Sequence, residues 1–157
     1  MEARLKPSRL RPERELEAFI RRLSGDGAVV SFVGIARPTG RDGEPVIGLH
    51  LDHYPGMTEA SLAEIAADAL KRFEVSDVAV VHRCGHVSPG DPIVFAAAAA
   101  PHRRSAFLAA DYLMDRLKTD AVFWKREDGV DGSRWIEPTE GDHTDRDRWR
   151  EPSAGDR

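Results

Sequence analysis

At 157 residues the chain suits one domain, long enough to bury roughly 70% of the surface its unfolded form exposes without disulfide or metal staples. A net charge of −4 gives no general attraction for nucleic acid, and no run approaches the roughly 20 apolar residues that a membrane span needs. The N-terminal MEARLKPSRLRPERE lacks an apolar signal core, and the single cysteine excludes an internal disulfide and any multi-cysteine metal site, so the expectation is a soluble, cytoplasmic protein.

Residues 1–11 are charged and read as a loose N-terminus. Leu16, Phe19, Ile20 and Leu23 mark one face of a short helix closed by Gly25 and Gly27. Ala28 to Ala36, AVVSFVGIA, reads as a buried strand in which Gly34 signals a bulge or a close backbone approach. Arg37 stands where that strand gives way to PTGRDGEP, a position from which a side chain either reaches a cleft or stays in a solvated loop. Val46 to Tyr54 is a second strand, expected to pair with the first across that turn. Asp52, His53 and Tyr54 have no second ligand cluster at a suitable spacing, so His53 and Tyr54 read as structural.

Thr58 is the expected cap of a helix whose Leu62, Ile65, Ala66, Ala69, Leu70 and Phe73 follow the helical period. Val78 to Val87 and Pro92 to Ala100 form two strands of a hairpin, joined by SPGD with a Pro89-Gly90 pair suited to a type II turn. On an unbroken strand His82, Cys84 and His86 share a face, with the histidines about 13 Å apart, too far for a shared zinc ion. Cys84 reads as a buried, inert thiol rather than a nucleophile. The small residues Ala96 to Ala100 allow a helix or a partner subunit to pack closely.

Residues 101–127, PHRRSAFLAADYLMDRLKTDAVFWKRE, carry most of the chemistry. Ser105 is the expected N-cap of a helix to Lys118, with Phe107, Ala110, Met114 and Leu117 inward and Asp111, Asp115 and Arg116 in water. His102, Arg103 and Arg104 then sit just before the helix start, where unpaired N–H groups and the dipole favour an anion, although a solvated surface pair is the alternative. Ala121 to Glu127 reads as a strand with Phe123, Lys125 and Glu127 on one face and Trp124 and Arg126 on the other. Only Thr119 and Asp120 separate helix from strand, so Lys118 and Lys125 can share one cleft, where two ammonium groups lower each other's pKa. Alternatively, Lys118 complements the helix C-terminus and Lys125 pairs with Glu127.

From Asp128 the periodicity fades; Trp135 and Ile136 suit a last short strand, and residues 137–157 read as a charged, mobile tail after a catalytic domain of residues 1–136. The order of elements predicts a single α+β domain with a largely antiparallel sheet and flanking helices.

The segments HRRSAF, MDRLK, FWKRE, HYPGMTEASLAEI and VVHRCGHVSPGD, with a late RW, resemble in order and spacing the catalytic (large) subunit of molybdopterin synthase, from about Gly27 to Trp135. The resemblance implies an α/β hammerhead fold and a homodimer within a heterotetramer carrying small ubiquitin-like sulfur-carrier subunits with a C-terminal Gly-Gly thiocarboxylate. It implies a sulfurtransferase that converts cyclic pyranopterin monophosphate to molybdopterin, with no metal or organic cofactor required. Carried over residue by residue, it makes Arg37, His102 and Arg103 substrate-binding, His102 and Arg103 reaching across the dimer, with Ile35 and Ala36 contributing backbone. It makes Lys118 the principal catalytic residue and Lys125 its partner in stabilising charge, with Arg126 and Glu127 shaping the site and Glu127 setting the charge of Lys125. Two other readings are a non-catalytic module that docks a ubiquitin-like partner or a phosphorylated ligand, and a sulfurtransferase that uses Cys84.

Overall fold

The computed structural model describes residues 1–150. One four-stranded sheet has the order β1 (Glu2–Lys6), β4 (Asp77–Arg83), β6 (Pro92–Ala100), β2 (Ala28–Ile35), with β1 parallel to β4 and the other pairs antiparallel. The second, fully antiparallel, has the order β5 (Gly85–Val87), β3 (Val46–His53), β7 (Phe123–Gly129), β8 (Gly132–Ile136). Helices α1 (Pro12–Arg21), α2 (Met57–Arg72), α3 (Arg103–Thr119) and α4 (Glu140–Asp147) complete the α+β domain.

The alternation of β4 and β6 makes the first sheet a two-sided core. Val78, Val80, Val94, Ala96 and Ala98 turn to one face, where Leu62 and Ile65 of α2 and Leu113 and Leu117 of α3 meet them. Ala79, Val81, Phe95, Ala97 and Ala99 turn to the other face, against Leu10 and Phe19 of the α1 region. The alanines keep the sheet surface low, so α3 sits close and buries its own small residues, Ala106, Ala109 and Ala110. That shifts the helix phase from the expected one: Phe107 is 61% exposed, while Asp115 and Arg116 are half-buried under the C-terminal segment.

Several sequence expectations need correction. Residues 1–11 are not loose, because β1 adds a parallel edge strand, with Glu2 opposite Ala79 and Lys6 opposite Arg83. β3 does not pair with β2; they belong to different sheets, joined only by a Thr39–Pro45 bridge in the intervening loop. Their apolar residues serve different cores: Val29 and Val33 pack with Phe19 and Phe95, whereas Leu49 and Leu51 pack with Val87. The strand expected over Val78 to Val87 breaks at Cys84, and Gly85, with a φ of +80°, turns the chain from the first sheet into the second. His82 and His86 therefore do not share a face. The bulge expected at Gly34 is present as a register shift, and a Cβ there would lie 2.7 Å from Val94 Cγ1.

The helix caps also differ. Gly56, not Thr58, is the N-cap of α2; Thr58 is buried, its hydroxyl accepting from Tyr54 N at 2.9 Å and donating to the Val122 carbonyl at 2.6 Å, which ties α2 to the entry of β7. His102, not Ser105, is the N-cap of α3, placing Arg103 and Arg104 within its first turn. The segment expected as a mobile tail holds α4, which starts in a capping box between Thr139 and Asp142. Trp149 anchors it, edge-on to Phe73 and Tyr112 at 5.6 and 5.5 Å, with its Nε1 donating to Asp115 at 2.6 Å. Residues 151–157 of the expected tail lie outside the described residues.

Candidate active site

A cleft of about 790 Å³ opens between the two sheets. Its walls are the end of β2, the inner face of β3 and β7, the last turns of α3, and residues 136–142. Ile35, Ala36 and Arg37 border it from the first sheet, Lys118 from α3, and Lys125 and Glu127 from β7. The strand alternation read from the sequence holds, for Phe123, Lys125 and Glu127 all line the cleft while Trp124 is exposed on the opposite face.

The two lysines are brought together, as the short α3–β7 connection predicts. Lys118 stands at the rim with its side chain 54% exposed, and its Nζ lies 3.4 Å from Asp142 Oδ1. Lys125 is deeper. Burial first, and the charge of Lys118 second, hold its pKa below the usual lysine range, with Asp142 opposing them. Glu127 does not set that charge state as expected; its carboxylate is engaged by Arg134 at 2.8 and 3.1 Å. Asp142 acts instead. Burial pushes its own pKa up, but hydrogen bonds from the Thr139 backbone and hydroxyl, and then Lys118, prevail and hold it below its ordinary value.

Three residues expected at the site lie elsewhere in the single chain. Arg126 is on the outer face of β7 and donates to Asp128 at 2.9 Å. His102 and Arg103 are exposed at the start of α3 and do not border the cleft. Arg103 precedes Lys118 by 15 residues of one helix, so about 22 Å of helix axis separates them.

Two cleft residues escaped the sequence reading. His82 sits on β4, where the sequence reading weighed it only as a zinc partner for His86. Asp142 lies in a segment without apolar periodicity; T-x-x-D was legible as a capping box, but nothing local shows that the cap faces Lys118. Cys84 is buried as expected, and burial pushes its thiol pKa up, away from a reactive thiolate. Among the described residues no three His, Cys, Asp or Glu side chains gather to hold a metal ion, and no helix is long and apolar enough to cross a membrane.

An α+β domain whose cleft holds two lysines of unequal burial beside an arginine is equipped to bind an anionic substrate and move protons on it. The model of the MoaE protein family matches residues 5–120, and the chain belongs to that family. The molybdopterin synthase catalytic subunit of Caulobacter vibrioides is 50% identical over 129 residues, 82% of this chain and 84% of that protein. Among solved structures, the molybdopterin biosynthesis MoaE protein of Burkholderia ambifaria is 40% identical with a TM-score of 0.80, covering 95% of this chain and 98% of that one. A complex of subunits 1 and 2 of the molybdopterin-converting factor of Helicobacter pylori, 20% identical, shares the fold at a TM-score of 0.70, with 87% and 90% covered.

Proposed function

We propose that this chain is the catalytic subunit of a molybdopterin synthase, a sulfurtransferase of molybdenum cofactor biosynthesis. Its substrate is cyclic pyranopterin monophosphate, which receives two sulfurs from the thiocarboxylated Gly-Gly terminus of a small ubiquitin-like carrier. The observation that supports catalysis over mere docking is the meeting of Lys118 and Lys125 in one cleft. Anion binding needs only fixed cations; a rim lysine together with a buried, pKa-lowered one adds the means to steer a thiocarboxylate and to transfer protons.

In this reading Lys118 receives the carrier's anionic terminus at the rim and handles protons as sulfur is delivered and a carboxylate leaves. Lys125 faces the charge that develops on the substrate, and Arg37 holds its phosphate, with the backbone of Ile35 and Ala36 beside it. His102 and Arg103 complete the site from a second copy, which makes a homodimer the working unit, with a carrier on each protomer in a cytoplasmic heterotetramer. Glu127 shapes the β7 wall of the cleft through its ion pair with Arg134, while Arg126 stays on the outer face.

The test is an in vitro conversion with purified protein, thiocarboxylated carrier and cyclic pyranopterin monophosphate, following the product after oxidation to its fluorescent derivative. Product with the wild-type chain and none with Lys118→Ala supports the reading. Carrier binding without product under any condition would overturn it in favour of a docking module.

A further inference from the structure

Alternation along β4 turns His82, like Val78 and Val80, toward the face covered by α2 and α3, and His82 pairs across to Val94 at the end of the sheet that meets the cleft. His82 is only 3% exposed, and its ring lies against Phe123 with centroids 4.2 Å apart and planes at 27°. Its Nδ1 is 2.8 Å from the Arg83 carbonyl. A carbonyl only accepts, so Nδ1 carries the proton and Nε2 presents a lone pair.

No group among the described residues donates a hydrogen bond to that lone pair. Among the described residues Arg83 Nε is the one sealed side-chain nitrogen or oxygen without a partner, so Nε2 is not sealed, and the space open to this ring is the cleft. The charged groups around it are otherwise suited to anions. Arg37, Lys118 and Lys125 donate, while the carboxylates of Glu127 and Asp142 are already engaged by Arg134 and by Thr139 and Lys118. An acceptor that opens on such a cleft is met by water until a ligand with its own N–H or O–H displaces it. Burial first, and Lys125 second, push the ring's pKa down to about 3, so it stays a neutral acceptor at physiological pH.

We propose that His82 is a substrate-binding residue whose Nε2 accepts a hydrogen bond from an N–H of a nitrogen heterocycle held in the cleft. This rests on the catalytic reading above, in which the heterocycle is the reduced pterin. Phosphate at neutral pH is chiefly an acceptor and pairs with the cations; the ring N–H groups at the other end of such a molecule pair with His82.

Two substitutions separate binding from folding. His82→Asn keeps a donor near the Nδ1 position for the Arg83 carbonyl but removes the acceptor at Nε2, whereas His82→Gln places a carbonyl oxygen near Nε2. Calorimetric titration of the full-length protein with cyclic pyranopterin monophosphate should show binding weakened about tenfold in His82→Asn and largely recovered in His82→Gln. Titration with inorganic phosphate should be the same in all three. His82→Asn with wild-type affinity for the pterin, or with phosphate binding weakened by the same factor, would overturn the assignment. Wild-type protein that binds phosphate but not the pterin would overturn the catalytic reading as well.

Discussion

The two sheets share antiparallel pairing over most of their strands but fill their faces in opposite ways. In the first, Val94 to Ala100 of β6 are buried without interruption and both faces are covered by helices. In the second, the inner face sets Leu49 and Leu51 beside Lys125 and Glu127, and the outer face leaves Trp124 and Trp135 more than half exposed. The first sheet is filled for packing, where each methylene matters; the second gives up packing so that charge can face a cleft. Stability and chemistry are therefore separable by sheet, and α3 links them by resting its small residues on one and aiming Lys118 at the other.

The sharpest way to test that separation is Lys118→Ala. Turnover should fall about 10²- to 10⁴-fold, while the melting temperature stays near that of the wild type, because the Lys118 side chain is more than half exposed and Asp142 keeps its hydrogen bonds with Thr139. A large loss of stability alongside the activity would break the comparison. Phe19→Ala is the reciprocal experiment: it empties the packed face opposite α3 and should cost about 3–5 kcal/mol in urea denaturation, with substrate affinity retained by the folded fraction.

Lys125→Met lies between these extremes. Its lowered pKa means that the unfolded chain binds this proton more tightly, so wild-type stability rises with pH from the folded pKa toward about 10.5. Lys125→Met should remove that slope and be more stable at neutral pH, by on the order of 1 kcal/mol, with the gain shrinking as pH approaches 10.5. If the ammonium form works in the reaction, wild-type turnover should fall as pH rises through that lowered pKa; a rise instead would make Lys125 a base. The smallest effect belongs to Cys84→Ser, which should leave turnover within about twofold if the carrier supplies the sulfur.

Much of this molecule was legible because its signals are local. The period of two placed Phe123, Lys125 and Glu127 on one face of β7, and the short α3–β7 connection placed Lys118 beside them. The helical stripe of α2 and the Gly34 irregularity were equally local. The resemblance supplied roles for Arg37, His102 and Arg103 that spacing alone left open.

What only the tertiary structure decided depends on contacts between residues far apart in sequence. Whether charged residues 1–6 form a strand depends on the open edge of β4. Gly85 could not announce from its neighbours that β5 changes sheets, and Phe107 faces outward because β6 presents alanines to α3. The charge state of Lys125 follows from Lys118 and Asp142, which arrive from α3 and α4, and the free Nε2 of His82 follows from a carbonyl and a cavity rather than from a motif. Periodicity specifies which side of an element is apolar; which surface meets it, and which polar atom is left open, is set when distant elements close around one another.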